Sequence, residues 1–346
     1  MQDSNQKFLD DIIQLAVKNN ASDIHLTGSM PPILRILGQL RRIDIEPLDN
    51  DDLSKLFLSM LNDRQIEYFK ENNEIDFAME RENLSRFRVN FFQHIGGISG
   101  AFRLIRQDIR SLQELQLPDM LQKMVFRKKG LILVTGPTGS GKSTTLAGMI
   151  HEINTYNRDH IITIEDPIEY LHKPIKSMIH QREVGMHVKD FPMALRSALR
   201  EDPDVILVGE MRDMVTVTNA LRAAETGHLV LSTLHTNSAA DTIDRIVNVF
   251  PAENQQQVKQ LLASTLISVI SQRLVPRAYE QNMIAVTEIL INTDAVKNLI
   301  REGKTHQIDS AIQTGFDQGM QTFERSLSIL KQNNMVQSNL EIESLI

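Results

Sequence analysis

The 346-residue sequence contains no cysteine, no long apolar stretch and no excess of basic residues. The lack of cysteine excludes disulfide frameworks, cysteine-ligated zinc sites and thiol nucleophiles. No apolar run approaches the roughly 18 residues that would span a bilayer, and the N-terminus lacks the basic and apolar segments of a signal peptide. We therefore expect a cytoplasmic protein that is not inserted in a membrane but can dock on a membrane complex through partners.

The charge balance argues against nucleic acid as a partner. Lysine and arginine together number 37 against 44 aspartate and glutamate residues, which gives a formal net charge of −7. A protein that holds nucleic acid through its phosphates needs a basic surface. We expect no nucleic-acid partner, unless a local basic stripe is hidden within the acidic average.

The N-terminal third of the chain predicts a small domain of helices and short strands. Residues 6–19 and 49–72 place apolar side chains at helical spacing, and the other segments alternate apolar and polar residues. Pro31, Pro32 and Gly38 punctuate the alternating segments. We predict an α+β domain over residues 1–106. Its predicted strands are Ser22–Leu26, Ile33–Leu37, Arg41–Ile45, Ile75–Met79, Ser85–Phe92 and Ala101–Arg106.

The remainder of the chain predicts a second domain, of the α/β class. Residues 107–116 are polar and mixed, and we predict that they form a hinge linker before a domain over residues 117–346. Apolar strands alternate there with helical segments, which indicates a largely parallel sheet flanked by helices. From Glu253 onward the pattern predicts mostly helix, including a run over Gln257–Leu274 whose apolar stripe packs in the core or against a neighbour. The predicted strands are Leu131–Val134, His160–Ile164, Val205–Val208 and Leu229–Ser232.

A loop between a predicted strand and a predicted helix matches the phosphate-binding pattern G-x-x-x-x-G-K-[ST] in full. Its glycines allow backbone N–H groups to converge on an anion, and the helix N-terminus adds partial positive charge. We expect Lys142 to reach the β- and γ-phosphates of ATP and the Ser143 hydroxyl to hold Mg²⁺. A chance Gly-rich turn is the alternative, but it does not account for strand, loop, lysine and helix occurring together. The predicted nucleotide-binding residues are Gly136, Pro137, Thr138, Gly139, Ser140, Gly141, Lys142, Ser143 and Thr144.

Two of the predicted strands of this domain end in acidic residues. Glu165 and Asp166 follow the first strand, and Glu210 follows the second. Ligands of open α/β sheets bind at the carboxyl ends of the strands. We therefore expect Glu165 and Asp166 to act on Mg²⁺, directly or through its waters, and Glu210 to be the base that polarises the attacking water. The alternative is that these acids are ordinary strand-end residues that face solvent.

With these residues in place, the sequence resembles the PilT family of type IV pilus retraction ATPases, a branch of the secretion ATPases, over nearly its whole length. Five matching segments occur in order, and a sixth resembles a run tied to retraction, with Val-Lys in place of Ile-Arg. The segments are Ala21–Leu26 (the PAS-like domain), Val134–Thr145 (Walker A), Thr163–Glu169 (the Asp box), Ile206–Asp213 (Walker B), Thr226–Thr236 (the His box) and Val296–Lys304 (the retraction segment).

The resemblance implies an architecture and a function. A PAS-like N-terminal domain would precede a RecA-like P-loop ATPase domain, and ATP would bind between the two. Six copies would form a ring that couples ATP hydrolysis to pilus retraction and thus to twitching motility. The implied partners are an inner-membrane pilus platform protein and a second retraction ATPase, and the implied location is the cytoplasmic side of the inner membrane, reached through the pilus machinery.

The resemblance also points to further site residues. Arg88 and Arg103, on separate N-terminal strands, would meet the γ-phosphate, and either one could instead make only a surface salt bridge. Arg196 and Arg200, spaced to share a helix face, would lie at the active site or at a subunit interface, with a solvated basic face as the alternative. Two histidines, His228 and His235, flank one apolar strand. The resemblance implies that His235 senses the γ-phosphate and that His228 supports the site, and the alternative is that both are structural residues.

Three other functions remain open to test. An assembly ATPase for pilus extension or type II secretion has the same motifs, but such proteins usually carry a longer N-terminus and a four-cysteine metal-binding insertion. A nucleic-acid translocase on a RecA-like fold conflicts with the acidic charge. A small-molecule P-loop kinase would need a substrate lid, and the extra domain and the His box do not fit it.

Overall fold

The structure is a computed structural model of the chain, and it describes residues 2–19, 21–36, 38–81, 85–105, 109–279 and 282–341. The chain divides into two units, residues 1–108 and 109–346. The predicted fold class, an α/β unit preceded by a small α+β unit, is confirmed. Within the described ranges no helix combines the length and the apolar character needed to cross a bilayer.

The first unit packs three helices against one face of an antiparallel sheet with the strand order β3-β2-β1-β6-β5-β4. Helix starts are set by local chemistry: Asp49 accepts the Asp52 N–H at the start of α2, and Asn62 and Gln65 form a capping box at the start of α3. The elements are α1 (Gln2–Lys18), β1 (Asp23–Thr27), β2 (Ile33–Ile36), β3 (Gln39–Arg42), α2 (Asn50–Leu58), α3 (Asp63–Asn72), β4 (Glu74–Arg81), β5 (Ser85–His94) and β6 (Gly97–Ile105).

The core of this unit is rich in aromatic side chains from the sheet and α2. Phe57 stacks on Phe91 with ring centroids 4.2 Å apart, and Phe102 lies 5.8 Å from Phe91. Alternate residues of the same strands point to the other face of the sheet. That face carries charged side chains, among them Arg88 and Arg103, which pair directly across β5 and β6.

The second unit contains a seven-stranded sheet with the order β13-β12-β7-β11-β10-β8-β9, in which only β13 runs antiparallel to its neighbour. Its elements are α4 (Asp119–Met124), β7 (Gly130–Thr135), α5 (Lys142–Tyr156), β8 (His160–Glu165), β9 (Met178–Glu183), α6 (Phe191–Ala198), β10 (Val205–Val208), α7 (Met214–Glu225), β11 (Leu229–Leu234), α8 (Ala239–Asn248), α9 (Ala252–Thr265), β12 (Leu266–Pro276), β13 (Met283–Ile291), α10 (Asp294–Glu302), α11 (Ile308–Thr314) and α12 (Phe323–Gln332), with short 3-10 helices at Thr305–Gln307 and Phe316–Gln318.

Both faces of this sheet are covered, and the central strands are therefore apolar on both sides. Leu131 and Leu133 of β7 pack in the core under α6 to α9, whereas Ile132 and Val134 pack under α4 and α5. All six residues of β7 are buried. This is the composition expected for a parallel strand between two helical layers.

The prediction of continuous helix over Gln257–Leu274 is wrong. Helix α9 ends at Thr265, and Leu266 begins β12, a strand of 11 residues that pairs with β7 and β13. The physical reason is that a strand buried on both faces loses its period-two pattern, so its apolar run cannot be told from a buried helix. The C-terminal part is therefore a β-hairpin with helices, and it is not mostly helical.

Other boundaries also differ from the sequence-based expectation, and β6 begins at Gly97, four residues before the predicted start at Ala101. The strand predicted at Arg41–Ile45 lies at Gln39–Arg42. Of the predicted linker, residues 107 and 108 lie outside the described residues, as does Arg106 at the end of a predicted strand. Residues 109–116 belong to the second unit, where Leu112 is buried against Gly148 of α5. Residues 109–116 therefore group with the second unit, and a hinge within 107–116 stays a prediction.

Candidate functional site

The candidate site lies where four neighbouring parallel strands, β7, β11, β10 and β8, reach their carboxyl ends. The ends of these strands are aligned in the sheet, because Thr135 pairs with Leu234, and Val208 pairs with both Ser232 and Ile164. The phosphate loop follows β7, His235 follows β11, Glu210 comes just after β10, and Glu165 ends β8. The sequence-predicted residues of the second unit that follow strands therefore converge at one edge.

The loop backbone has a shape that glycine makes accessible. Gly136, Gly139 and Gly141 all have positive φ, of 142°, 80° and 86°. An ideal Cβ added to Gly136 would lie 2.3 Å from the Gln272 carbonyl oxygen, so a larger residue would displace β12. The hydroxyl of Ser140 is buried without a hydrogen-bond partner among the described residues. A buried hydroxyl donor without a partner, in a loop whose glycines have positive φ, is suited to binding an anion such as a phosphate.

Helix α5 begins at the loop and receives no side-chain cap. The first N–H groups of a helix have no intrahelical partner, and the helix dipole places partial positive charge there. An uncapped start of a 15-residue helix at the mouth of the loop therefore offers donors for a phosphate.

Lys142 is the first residue of α5, and its Nζ donates to the Gly136 and Pro137 carbonyls at 2.8 and 2.9 Å. Burial lowers the pKa of Lys142, and the carboxylates of Glu169 and Glu210 oppose that shift. The lysine is thus held inside the loop with two acids nearby. This placement suits a cation that meets phosphate oxygens.

Glu210 is fixed by the backbone on either side of it. The Gly209 N–H donates to the Ile164 carbonyl at 2.8 Å, and the Met211 N–H donates to the Thr233 carbonyl at 3.2 Å. The Glu210 side chain is only 16% exposed, with Arg212 Nε 2.7 Å from Oε1 and His235 Nε2 3.7 Å from Oε2. The carboxylate therefore has a defined direction at the site edge.

Glu165 lies at the end of β8, where Thr163 and Gln181 contact its carboxyl group. Burial raises its pKa to about 7, while hydrogen bonds from Thr163 Oγ1 (2.6 Å) and Gln181 Nε2 (3.4 Å) to Oε1 oppose the shift. A carboxyl group with a pKa near neutrality can accept or release a proton under working conditions. Asp166 follows it and is exposed.

Neighbours of the acids and of the loop were missed by the sequence-based analysis. Arg212 contacts Glu210, Tyr170 Oη lies 2.8 Å from Thr144 Oγ1, and Gln181 Nε2 bonds both Glu165 and the Tyr170 carbonyl. Arg212 is two residues from a predicted site residue and could have been proposed from its position. Gln181, on β9, and Gln272, on β12, have no local signal, because only the sheet order brings their strands to the site.

His228 does not join this cluster within the chain. It precedes β11, and its Nδ1 lies 2.9 Å from the Ala223 carbonyl oxygen, so it closes the turn after α7. The six residues of β11 separate it from His235, and seven steps at about 3.3 Å per residue amount to about 23 Å. The geometry of the chain assigns His228 a structural contact and leaves His235 at the site.

Arg196 and Arg200 are exposed, and each donates to a nearby backbone carbonyl of its own segment. Arg196 Nε contacts the Pro192 oxygen at 3.3 Å, and Arg200 Nη1 contacts the Arg196 oxygen at 3.1 Å. Helix α6 ends at Ala198 with Leu199 as its cap, so Arg200 lies beyond the helix on which a shared face was predicted. No contact of either arginine with the loop or with Glu210 is present among the described residues.

Arg88 and Arg103 lie side by side on the helix-free face of the first unit. Arg103 Nε donates to Asp23 Oδ1 at 3.0 Å, and Arg88 Nε lies 3.7 Å from Asp76 Oδ1. The Arg103 side chain is 69% exposed and the Arg88 side chain is 44% exposed. Both guanidinium groups therefore remain accessible to an anion, and each is oriented by a carboxylate at its base.

The residues predicted for Mg²⁺ do not form a metal cage. In the described part of the chain no group of three or more His, Cys, Asp or Glu side chains could hold a metal ion. Mg²⁺ on a nucleotide usually keeps several waters and phosphate oxygens and takes only one or two protein ligands. The Ser143 hydroxyl at the start of α5 could be one such ligand, whereas Glu165 and Asp166 lie at the end of β8, three strands away from β7 in the sheet.

Comparisons with known proteins identify the family of this chain. Residues 2–339 match the family model described as type II/IV secretion system protein. The chain is 47% identical over 326 residues to the type IV pilus retractation ATPase PilT of Pseudomonas aeruginosa, covering 94% of each chain. It is 49% identical over 305 residues to the twitching motility protein of Neisseria gonorrhoeae, covering 88% of this chain and 82% of the relative.

A solved structure gives the same result. The crystal structure of the pilus retraction motor PilT with bound ADP has a TM-score of 0.88 and 47% sequence identity to this chain. The match covers 95% of this chain and 94% of the other. The similarity therefore extends over both units described above.

Proposed function

The chain belongs to the family of type II/IV secretion system proteins, and on that premise we propose that it is a motor ATPase that couples ATP hydrolysis to type IV pilus retraction. Its relatives at 47% identity over nearly the whole chain are named for retraction. The observation that carries the chemical half of the proposal is the convergence of the Lys142 loop, Glu210 and His235 at one edge of the sheet.

The loop supplies the binding step of this proposal. The uncapped start of α5, the Ser140 hydroxyl and the Lys142 ammonium group are donors without a carboxylate partner inside the loop. Together they would hold the phosphates of ATP and orient the γ-phosphate toward the edge. Lys142 would exchange its two carbonyl contacts for phosphate oxygens.

Glu210 supplies the proton-transfer step. Its carboxylate is held by Arg212 and faces His235, and it would orient a water for attack on the γ-phosphate and accept the water proton. Glu165, with its pKa raised to about 7 by burial, would act on the metal-bound waters beside it. Mg²⁺, held by Ser143 and by phosphate oxygens, would neutralise charge on the triphosphate.

The partners follow from the same proposal. A ring of six identical chains would act on an inner-membrane platform protein of the pilus, alongside a second retraction ATPase. Arg88 and Arg103 would add positive charge to the transition state of phosphoryl transfer. Arg196 and Arg200 would lie at a contact between subunits, where their exposure leaves them available. The protein would work in the cytoplasm, peripheral to the inner membrane.

Purified full-length protein tests the chemical half. We expect Mg²⁺-dependent release of phosphate from ATP, and loss of ATP binding in the Lys142→Ala variant. Wild-type protein that neither binds nor hydrolyses ATP in the presence of Mg²⁺ would refute the proposal.

Deletion of the gene in its host tests the biological half. A retraction motor predicts surplus surface pili without twitching motility. An assembly ATPase, which is the alternative within the family, predicts the absence of pili.

A further inference from the structure

Strand β12 brings a buried glutamine to the phosphate loop. β12 runs parallel to β7, with Ser271 level with Thr135, so the next residue of β12, Gln272, is level with Gly136 at the start of the loop. Gln272 is 1% exposed. A buried amide must satisfy its donors and its acceptor within the protein.

The side chain of Gln272 bridges the loop and the helix that follows it. Its Nε2 donates to the Ser140 carbonyl oxygen at 2.6 Å, and its Oε1 accepts from Thr145 Oγ1 at 2.9 Å. Ser140 lies in the loop, and Thr145 is in the first turn of α5. One amide group therefore sets the position of the loop relative to the helix N-terminus.

Gln272 also packs closely against two glycines of the loop. The Gln272 carbonyl oxygen lies 2.3 Å from the position of an added Cβ at Gly136, and its Nε2 lies 3.0 Å from that of an added Cβ at Gly141. Gln272 thus contacts the loop near its first glycine, near its last glycine and at Ser140. Glutamine offers an N–H donor and a carbonyl acceptor on one neutral amide, and asparagine carries the same amide one methylene group closer to the backbone.

We propose that Gln272 is a positioning residue for nucleotide binding, which holds the phosphate loop in the shape that directs its N–H groups at the phosphates. It acts through Ser140 and Thr145 and does not itself touch the nucleotide. This inference rests on the proposed ATPase function, since the loop must bind a nucleotide for its shape to matter.

Substitutions separate the two hydrogen bonds. Gln272→Met keeps the length of the side chain and removes both bonds, whereas Gln272→Glu keeps the acceptor for Thr145 but sets a carboxylate against the Ser140 carbonyl. Thr145→Val removes only the helix bond. Ser268→Ala is the matched control, because Ser268 lies on the same strand, is fully buried, and loses one hydrogen bond, to the Leu290 carbonyl, with no loop contact.

The measurements are the affinity of each full-length variant for a fluorescent ATP analogue with Mg²⁺, and the melting temperature without nucleotide. We expect Gln272→Met and Gln272→Glu to bind about tenfold more weakly than wild type, because a buried carbonyl or hydroxyl is left without its partner. We expect the Thr145→Val/Gln272→Met double variant to bind no more weakly than Gln272→Met alone. The nucleotide-free melting temperature of Gln272→Met should fall no further than that of Ser268→Ala.

Two results would overturn the inference while leaving the proposed function intact. One is wild-type affinity in both Gln272 variants, with Lys142→Ala unable to bind. The other is a loss of affinity in Gln272→Met that is matched by Ser268→Ala, which would show a general effect of the strand on stability. Failure of wild-type protein to bind the analogue would instead refute the proposed function.

Discussion

His235 and Glu210 face each other at the carboxyl ends of neighbouring parallel strands, with His235 Nε2 3.7 Å from Glu210 Oε2. Burial lowers the pKa of His235, and the positive charges of Lys142 and Arg212 lower it further, against the opposing effect of Glu210. The lowered pKa favours the neutral form of the imidazole. A neutral imidazole can donate one hydrogen bond toward the site without neutralising the Glu210 carboxylate.

The proposed role of Glu210 as the base gives the first prediction. Glu210→Gln keeps the size and the hydrogen-bonding capacity of the side chain but cannot accept a proton. We expect MgATP binding within about threefold of wild type and a fall in turnover of at least about 100-fold. Phosphate release and analogue binding measure the two quantities, with Glu253→Gln, at an exposed position on α9, as the control. Normal turnover in Glu210→Gln would refute the assignment.

The separation of the two histidines gives the second prediction. His235→Ala removes a group from the site edge and should lower turnover by about tenfold or more, with little change in melting temperature. His228→Ala removes a contact with the Ala223 carbonyl and should lower stability by about 1 kcal/mol. An equal fall in turnover per folded chain in both variants would contradict this prediction, because it would show that His228 also serves the site.

The parts of the site that follow from local sequence were predictable. The loop, Lys142 and the strand-end acids each depend on a few consecutive residues, because a strand, a glycine-rich turn and a helix dictate their own geometry. Glu165 and Glu210 come together because they end neighbouring strands of one parallel sheet.

The parts that depend on sheet order were not predictable. Gln272 lies on a strand that the apolar pattern placed in a helix, and Gln181 lies on an edge strand with no site motif. Nothing in the spacing of residues along the chain states that β12 lies next to β7. The distance of His228 from the loop likewise depends on the direction and length of β11, and the family resemblance grouped both histidines without regard to it.

The buried carboxyl of Glu288 gives a prediction about stability and pH. Its Oε1 accepts from the Ala239 N–H at 2.8 Å, and burial raises its pKa from 4.5 to about 7, with Asp309 and Glu324 adding to the shift and Arg273 opposing it. Between these two values the folded chain holds a proton that the unfolded chain releases. The contribution of Glu288 to the free energy of unfolding is therefore fully present below about pH 4.5, and it is lost as the pH rises through about 7.

Glu288→Gln removes that titration and keeps the acceptor for Ala239. We expect the variant to be more stable than wild type at pH 8, by about 1–3 kcal/mol, and to lose less stability between pH 5 and pH 8. Denaturant unfolding across this range measures the effect, and Glu253→Gln controls for removal of an exposed charge. Glu165, raised to about 7 in the same way, should leave part of the pH dependence in place. A steeper loss of stability in Glu288→Gln would contradict the prediction.

The arginines on the helix-free face of the first unit give the fourth prediction. If Arg88 and Arg103 stabilise the transition state of phosphoryl transfer, Arg88→Ala and Arg103→Ala should each lower turnover by at least about 100-fold and leave the affinity for nucleotide within about tenfold. Arg41→Ala, on the exposed edge strand β3, is the matched control. Turnover equal to that of the control in both variants would leave these arginines with only their carboxylate contacts.

The last prediction separates chemistry from force transmission. Arg301 lies in the last turn of α10, where Nη1 donates to Asn298 Oδ1 at 3.2 Å and its carbonyl accepts from Gln256 Nε2 at 3.3 Å. None of these contacts reaches the phosphate loop or Glu210. We therefore expect Arg301→Ala to keep ATP turnover within about twofold of wild type, since changes away from a site rarely alter its chemistry, and to abolish twitching in the host.

Lys297→Ala is the comparison within the same segment, because Lys297 lies one turn earlier on α10 and its ammonium group forms an ion pair with Asp294. Two measurements on the same variants distinguish the outcomes: the turnover of purified protein and twitching on a surface. If turnover of Arg301→Ala falls together with motility, the segment serves catalysis. If turnover and motility are both retained, the arginine has no part in coupling. Only turnover without motility places α10 between hydrolysis and the pilus.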